Sequence, residues 1–156
     1  MTASPALSLL AARQCFHANL AEIGTTSEST EAVVDLCYDG NVLRGSFTNY
    51  HGLEAGLNAA DCTAANCMGI HVHAGDACTD TDSQGGHYYN TTSFPDSDPW
   101  APAVYPVTDG EGQIIGATFT VDPGFLSDGL DGKPFIAHSF DGGRHSCGLL
   151  SFVPEK

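Results

Sequence analysis

Apolar and polar residues alternate in several short stretches of the chain, and turns rich in glycine and aspartate separate these stretches. Alternation with a period of two is typical of β-strands that are buried on one face. No stretch predicts a helix as clearly. We therefore expect an all-β Greek-key sandwich or barrel of about eight antiparallel strands. The predicted strands are Gln14–Ile23, Glu31–Tyr38, Val42–Tyr50, Met68–Ala74, Gly112–Val121, Lys133–Phe140 and Gly148–Val153.

The segment from Asp76 to Ala103 breaks this pattern, since it is rich in glycine, aspartate, proline and serine. A loop this long inside a compact domain is usually functional or flexible. The 156 residues fit one domain, which we place at residues 13–156, after an N-terminal extension at residues 1–12. The apolar stretch in that extension lacks the basic flank of a signal peptide. We therefore expect a processed protein or one module of a multidomain chain.

The chain is strongly acidic, with five lysines and arginines against 19 aspartates and glutamates and a formal net charge of −14 at pH 7. This charge repels nucleic-acid phosphates and anionic lipids. No apolar run approaches the roughly 20 residues of a membrane-spanning helix. The composition therefore argues against nucleic acids and membranes as partners.

The six cysteines are even in number and form no paired Cys-x-x-Cys motifs of the kind found in zinc ribbons. We interpret them as three disulfides formed in an oxidising compartment, which predicts a secreted or extracellular protein. The sequon Asn90-Thr91-Thr92 agrees with this location. The alternative is a cytosolic protein with free buried thiols. The cysteines are Cys15, Cys37, Cys62, Cys67, Cys78 and Cys147.

Two of the pairings follow from the predicted local structure. Antiparallel strands joined by a turn near Thr26 place position 15 opposite position 37, which predicts the disulfide Cys15–Cys37. Cys62 and Cys67 are close enough in sequence to form a second, local disulfide.

Four of the seven histidines form a candidate metal site. His71 and His73 alternate on a predicted strand, so both imidazoles lie on the same face of the sheet. His87 follows two glycines, which let its loop approach that strand closely. His138 lies at the end of an apolar strand, where an unpartnered imidazole is costly to bury. Four imidazoles favour copper or zinc over calcium or magnesium.

The other three histidines, His17, His51 and His145, show no such arrangement. A single histidine is more often hydrogen-bonded or exposed than bound to a metal, and we expect that of these three. A His-x-His pair also arises by chance, so ordinary buried histidines are the alternative for the first set as well.

Four sequence blocks resemble signature blocks of the copper/zinc superoxide dismutase family and occur in that family's order. The resemblance extends from about Gly45 to Val153. It implies the family's immunoglobulin-like Greek-key fold and an enzyme that converts superoxide to dioxygen and hydrogen peroxide. The blocks are Gly69-Ile70-His71-Val72-His73, Gly85-Gly86-His87-Tyr88-Tyr89-Asn90, Lys133-Pro134-Phe135-Ile136-Ala137-His138 and Gly142-Gly143-Arg144-His145-Ser146-Cys147-Gly148-Leu149-Leu150.

The resemblance also implies roles for individual residues. Arg144 matches the arginine beside the copper ion, where its permanent charge would hold the superoxide anion. An ordinary salt-bridged arginine is the alternative. Cys78 and Cys147 match the family's intrasubunit disulfide. The residues that match the copper ligands are His71, His73, His87 and His138, of which His87 is, with Arg144, a candidate catalytic residue.

Two departures from the family pattern change what is expected of the metal. The stretch Tyr88–Gln113 has no histidine, whereas the bimetallic enzymes use that loop for zinc ligands. Only five residues separate His138 from Arg144, where the bimetallic enzymes have a long loop. Both features resemble the copper-only branch, found in secreted fungal enzymes and in repeat-containing extracellular proteins. We therefore expect one copper ion per chain and no zinc.

In the copper-only interpretation His87 is a terminal ligand, and it needs a partner that orients its ring. Asp96 and Asp98 on the same loop are the candidates, and solvated loop acids are the alternative. The sequence thus predicts a copper-dependent superoxide dismutase that acts on superoxide. Two other functions are open: an extracellular copper-binding module with little turnover, and a purely structural extracellular module.

Overall fold

The computed structural model describes residues 13–24, 31–125 and 129–154. Within these ranges the chain is nearly all-β, which confirms the predicted fold class. The predicted N-terminal extension, residues 1–12, lies outside the described residues. The strands are β1 (Cys15–Glu22), β2 (Ala32–Asp39), β3 (Val42–Asn49), β4 (Ile70–Val72), β5 (Ile114–Val121), β6 (Pro134–His138), β7 (Arg144–Leu149) and β8 (Ser151–Val153).

These strands form one curled antiparallel sheet in the order β4-β6-β7-β1-β2-β3-β5, and β8 pairs with β1. The connections from β3 to β4 and from β5 to β6 run between opposite ends of the sheet. Long return connections of this kind are typical of Greek-key folds. No helix among the described residues is long and apolar enough to cross a membrane.

Strand β2 shows how the sequence pattern builds the core. Val34 and Leu36 are buried, and Asp35 between them is exposed, as a period of two requires. Inside the curl, Phe47 stacks on Tyr105 and Phe135 with ring centroids 6.1 and 6.3 Å apart. Burying one such side chain contributes about 1.5–3 kcal/mol. This packing fixes β6, which carries Phe135 and ends at the candidate ligand His138.

Strand β4 is shorter than the sequence pattern predicts. The pattern extends from Met68 to Ala74, whereas the ladder between β4 and β6 covers only Ile70–Val72. The regular ladder ends there because the next residue of β6 is Pro134, which accepts a hydrogen bond from the His73 amide at 2.8 Å but has no N–H to donate in return. His73 also forms an isolated bridge with His87. The end of β4 is thereby joined to the long loop.

Strand β7 begins earlier than predicted, at Arg144 instead of Gly148, and β8 is a separate strand. The residues in between are small or polar, so they lack an apolar period, yet Ser146 and Cys147 are buried. Pairing with β6 on one side and β1 on the other produces this strand. As a result Arg144 lies opposite His138 in the ladder.

The long loop contains one turn of helix that the alternation pattern does not predict, α1 (Thr81–Gln84). Asp80 caps it, because its carboxylate accepts a hydrogen bond from the Ser83 backbone at 2.9 Å and Ser83 Oγ interacts with the Asp80 backbone in return. A second single turn, of 3-10 type, covers Ala59–Asp61. Caps specify such short elements, and hydrophobic periodicity does not reveal them.

The three disulfides are Cys15–Cys37, Cys62–Cys67 and Cys78–Cys147, which are the three predicted pairs. Cys15 and Cys37 are direct cross-strand partners of β1 and β2. The Cys78–Cys147 bond joins the long loop to β7. Three disulfides indicate an oxidising, extracellular-type environment.

Candidate metal centre

The structure brings four predicted ligand residues into one cluster. Each contributes one ring nitrogen, and these four nitrogens all lie within 4.8 Å of one another. Such a cluster can hold a metal ion. We refer to it as the four-histidine centre; its members are His71, His73, His87 and His138.

The fold positions three of these side chains from adjacent strands. His71 lies on β4, His73 directly follows β4, and His138 ends the neighbouring β6. The rings of His71 and His138 have centroids 4.9 Å apart, and those of His73 and His138 5.7 Å apart. The strand pairing itself therefore assembles most of the centre.

Backbone carbonyls orient two of the strand-borne rings. His73 Nδ1 lies 2.9 Å from the Gly85 carbonyl oxygen, and His138 Nδ1 lies 3.0 Å from that of Gly142. A carbonyl oxygen only accepts, so Nδ1 donates in both rings and carries the proton. The Nε2 lone pairs of both rings are thus free to bind a metal.

His87 comes from the long loop and is held differently. Its Nδ1 lies 2.5 Å from Asp98 Oδ2. The other oxygen of Asp98 accepts a hydrogen bond from the Trp100 backbone at 2.8 Å, and the Trp100 indole donates to the Tyr88 carbonyl at 2.8 Å. Of the two candidate acids, the structure places Asp98 on His87, whereas Asp96 is exposed.

Burial keeps the strand-borne imidazoles neutral. Burial is the largest cause that lowers the pKa of His71 to about 2, that of His73 to about 3 and that of His138 to about 4, and the neighbouring histidines contribute to these shifts. A histidine must be neutral to bind a metal ion. At pH 7 these three rings need no deprotonation before a metal binds.

Several of these ring nitrogens are buried without a hydrogen-bond partner: both nitrogens of His71 and Nε2 of His73 and His138. A buried polar atom without a partner costs about 1–3 kcal/mol. A metal ion at the point where the nitrogens converge would satisfy one nitrogen of each ring. The residues therefore fit a metal, and a set of imidazoles alone suits copper or zinc.

Arg144 is fixed next to the centre by α1 and by Gly85, the residue that follows it. Its guanidinium donates to Gln84 Oε1 at 2.8 Å, to the Thr81 carbonyl at 3.1 Å and to the Gly85 carbonyl at 2.7 Å. Burial lowers the pKa of Arg144, but a guanidinium stays protonated at physiological pH. The Gly85 carbonyl thus links Arg144 to His73, and no carboxylate of the described residues forms a salt bridge with this guanidinium.

The three remaining histidines lie outside the centre. His17 Nδ1 lies 2.8 Å from Asp35 Oδ1, and His51 and His145 both lie beside the carboxylate of Glu31. Each has a carboxylate neighbour, and none of them belongs to the four-histidine centre.

Sequence reasoning missed several residues that shape the centre. Gln84 and the Gly85 carbonyl hold Arg144, and Trp100 supports Asp98. Trp100 is fully buried, and its ring centroid lies 6.4 Å from that of His71. The glycine pair before His87 signalled a close approach, but no motif indicated Gln84 or Trp100.

No protein-family model matches the chain, and no curated protein matches its sequence.

Proposed function

We propose that this chain is a copper-dependent superoxide dismutase that converts superoxide to dioxygen and hydrogen peroxide. The observation that carries the proposal is the convergence of buried, neutral, unpartnered imidazole nitrogens next to an arginine without an acidic partner. The four-histidine centre would hold one copper ion. The resemblance to the superoxide dismutase family supports the same assignment.

The donor set favours copper at this centre. Imidazole nitrogen binds both Cu(I) and Cu(II), and bound copper supplies one-electron redox chemistry between these states. The loop after His87 offers no histidine for the adjacent zinc site of the bimetallic enzymes. Instead, His87 Nδ1 donates a hydrogen bond to Asp98 Oδ2, as a terminal ligand needs. We therefore propose copper without zinc at this centre.

Arg144 would hold the superoxide anion. Its three hydrogen-bond acceptors are two backbone carbonyls and one amide, so none of them neutralises its charge. Arg144 lies opposite His138 in the ladder between β6 and β7 and shares the Gly85 carbonyl with His73, so its charge lies beside two of the candidate ligands. A fixed guanidinium positions an anion without first having to become ordered.

The test is a steady-flux superoxide assay on the copper-loaded protein, with a chelator-treated sample and a His71→Ala variant as controls. We expect dismutase activity in the untreated copper-loaded protein alone. Equal superoxide loss in all three samples would contradict it.

The same sample separates a dismutase from an extracellular module that only binds copper. Binding alone does not need Arg144, so Arg144→Ala should lower the dismutation rate at least about tenfold while the copper content stays at one per chain. Arg44→Ala is the matched control, because Arg44 is exposed and paired with Asp39 on another part of the sheet. Unchanged activity in the Arg144 variant would favour the copper-binding module.

A further inference from the structure

Gln84 is a buried amide between Arg144 and the disulfide of the long loop. The residue is only 1% exposed. Its Oε1 accepts a hydrogen bond from Arg144 Nη1 at 2.8 Å, and its Nε2 donates one to the Cys78 carbonyl at 3.1 Å. Cys78 in turn is bonded to Cys147 on β7, the strand that begins at Arg144. The side chain of Gln84 therefore links Arg144 to a covalently fixed part of the loop.

The two partners of Gln84 require one acceptor and one donor. A guanidinium only donates, and a backbone carbonyl only accepts. A glutamine amide carries both a carbonyl oxygen and an NH₂ group, so it satisfies both partners. A carboxylate cannot donate to the Cys78 carbonyl, and an apolar side chain bonds to neither partner. The hydrogen-bonding pattern around this position therefore specifies an amide.

The backbone of Gln84 is fixed against the chain that leaves the four-histidine centre. Its amide donates to the Asp80 carbonyl at 3.0 Å, and its carbonyl accepts from the Gly75 amide at 2.9 Å. A Cβ atom at Gly75 would lie 2.5 Å from the carbonyl carbon of Gln84, so only glycine permits this approach. Because Gly75 closely follows His73, Gln84 and the candidate ligand are held by the same segment.

The amide leaves the positive charge of Arg144 without a compensating negative charge. The other two acceptors of the guanidinium are the backbone carbonyls of Thr81 and Gly85. The chain has 19 aspartates and glutamates, yet none of those that the structure describes forms a salt bridge with Arg144. A carboxylate in place of the Gln84 amide would form a charge-assisted pair with the guanidinium.

Arg144 also keeps a donor that the loop does not use. Both Nη atoms donate to the loop, whereas Nε has no acceptor among the residues that the structure describes. By contrast, Nε of Arg44 donates to Asp39 at 3.0 Å. Arg144 is only partly buried, and its Nε is not one of the buried unpartnered atoms of the described ranges. A small anion from solvent can therefore reach this N–H.

We propose that Gln84 is a positioning residue that determines whether the four-histidine centre attracts an anion. It fixes the guanidinium of Arg144 beside the centre and, as a neutral acceptor, leaves the charge available to a small anion. The inference rests on the proposed anion-holding role of Arg144. It adds that the arginine needs an uncharged partner at this position to perform that role.

The test titrates the copper-loaded protein with azide, a small anion whose binding to Cu(II) produces a charge-transfer absorption band. Gln84→Glu should weaken azide binding at least about tenfold, because the carboxylate pairs with the guanidinium. Gln84→Met should weaken it less, since Arg144 then keeps its charge and loses one fixed contact. Dismutation is not measured, so a protein that binds copper without turnover gives the same comparison.

Gln113→Glu is the matched control, because it adds the same charge at an exposed glutamine outside the long loop. Salt screens an exposed charge, so this variant should bind azide as wild type does. The expected order of azide affinity is wild type, then Gln84→Met, then Gln84→Glu. Any other order would overturn the proposal, and so would equal azide affinity in Gln84→Glu and Gln113→Glu.

The metal-free protein gives a second readout that needs neither copper nor activity. The Nη protons of a guanidinium held by three hydrogen bonds should exchange slowly in proton–nitrogen NMR spectra of wild type. These signals should be lost in Gln84→Met, and Arg144→Lys identifies which signals belong to Arg144. Fast exchange in wild type, or unchanged signals in Gln84→Met, would overturn the proposal even if the chain is a dismutase.

Discussion

The four-histidine centre has a strand-borne part and a loop-borne part, and the two are built in different ways. His71, His73 and His138 come from paired strands, and each is only about 1% exposed. His87 comes from the long loop, has a side chain that is 11% exposed, and relies on the carboxylate of Asp98. We therefore expect the three strand-borne histidines to contribute more to metal affinity than His87 does.

Three sets of contacts attach the loop to the strands. The disulfide Cys78–Cys147 joins it to β7, Arg144 joins α1 to the start of β7, and the His73–His87 bridge joins it to β4. Each contact can be removed separately, so the contributions of the strands and of the loop to the four-histidine centre can be measured.

Removing a strand-borne ligand should have the largest effect. His73→Gln should lower copper affinity at least about 100-fold, because only two strand-fixed imidazoles then remain. His87→Gln should retain more copper, since all three strand-borne rings stay in place, but it should lose dismutation. Competition with a chelator of known affinity measures both variants. Equal loss of copper from the two variants would contradict the comparison.

Removing the loop disulfide should come next. Cys78→Ser with Cys147→Ser should lower the free energy of unfolding by about 2–4 kcal/mol, because this bond spans a sequence separation of 69 residues. Cys62→Ser with Cys67→Ser is the matched control, and its separation of 5 residues predicts a smaller loss. Urea unfolding of the copper-loaded forms measures both. A larger loss in the control would refute the role assigned to the loop attachment.

Replacing the partner of His87 should have a smaller effect. Asp98→Asn removes the negative charge that orients and polarises the ring, so copper affinity or activity should fall about 10–100-fold. Asp96→Asn on the same loop is the control, because Asp96 is exposed. Copper content and dismutation rate are measured for both variants. If Asp96→Asn lowered copper affinity or activity as much as Asp98→Asn does, the total negative charge of the loop would matter more than the hydrogen bond between Asp98 and His87.

The last test concerns how the stability of the metal-free protein depends on pH. Burial lowers the pKa of His138 to about 4, so the folded chain keeps it neutral while the unfolded chain takes up a proton below about 6.5. Stability is therefore lost as pH falls from about 6.5 towards 4. His138→Gln should reduce this slope by about 1.4 kcal/mol per pH unit, measured by urea unfolding. An unchanged slope would contradict the assignment.

The strand-borne part of the centre could be predicted from sequence, and most of the loop-borne part could not. A period of two puts His71 and His73 on one face of a strand. In the same way, the residue numbers of cross-strand partners in a hairpin have a constant sum, which puts Cys15 opposite Cys37. These rules act over a few residues. The contact between His87 and Asp98 depends on how a loop without periodicity folds back, so the sequence left Asp96 as an equal candidate.

Strand β7 shows a second limit. Ser146 and Cys147 have no apolar period, and only the pairing with strands distant in sequence makes them part of the sheet. The same pairing brings His145 to Glu31 and Arg144 to Gln84. Such contacts join residues far apart in the chain, which local patterns cannot reveal.

Superoxide decay after pulse radiolysis, followed as copper is added to the metal-free protein, tests the central claim most directly. Unbound copper is removed before each measurement, and His73→Gln is treated in parallel. The decay rate of wild type should rise in proportion to bound copper and stop rising at one copper ion per chain, while the variant stays at the uncatalysed rate. A wild type that binds copper without accelerating the decay, or a variant that accelerates it equally, would contradict the assignment of dismutation to the four-histidine centre.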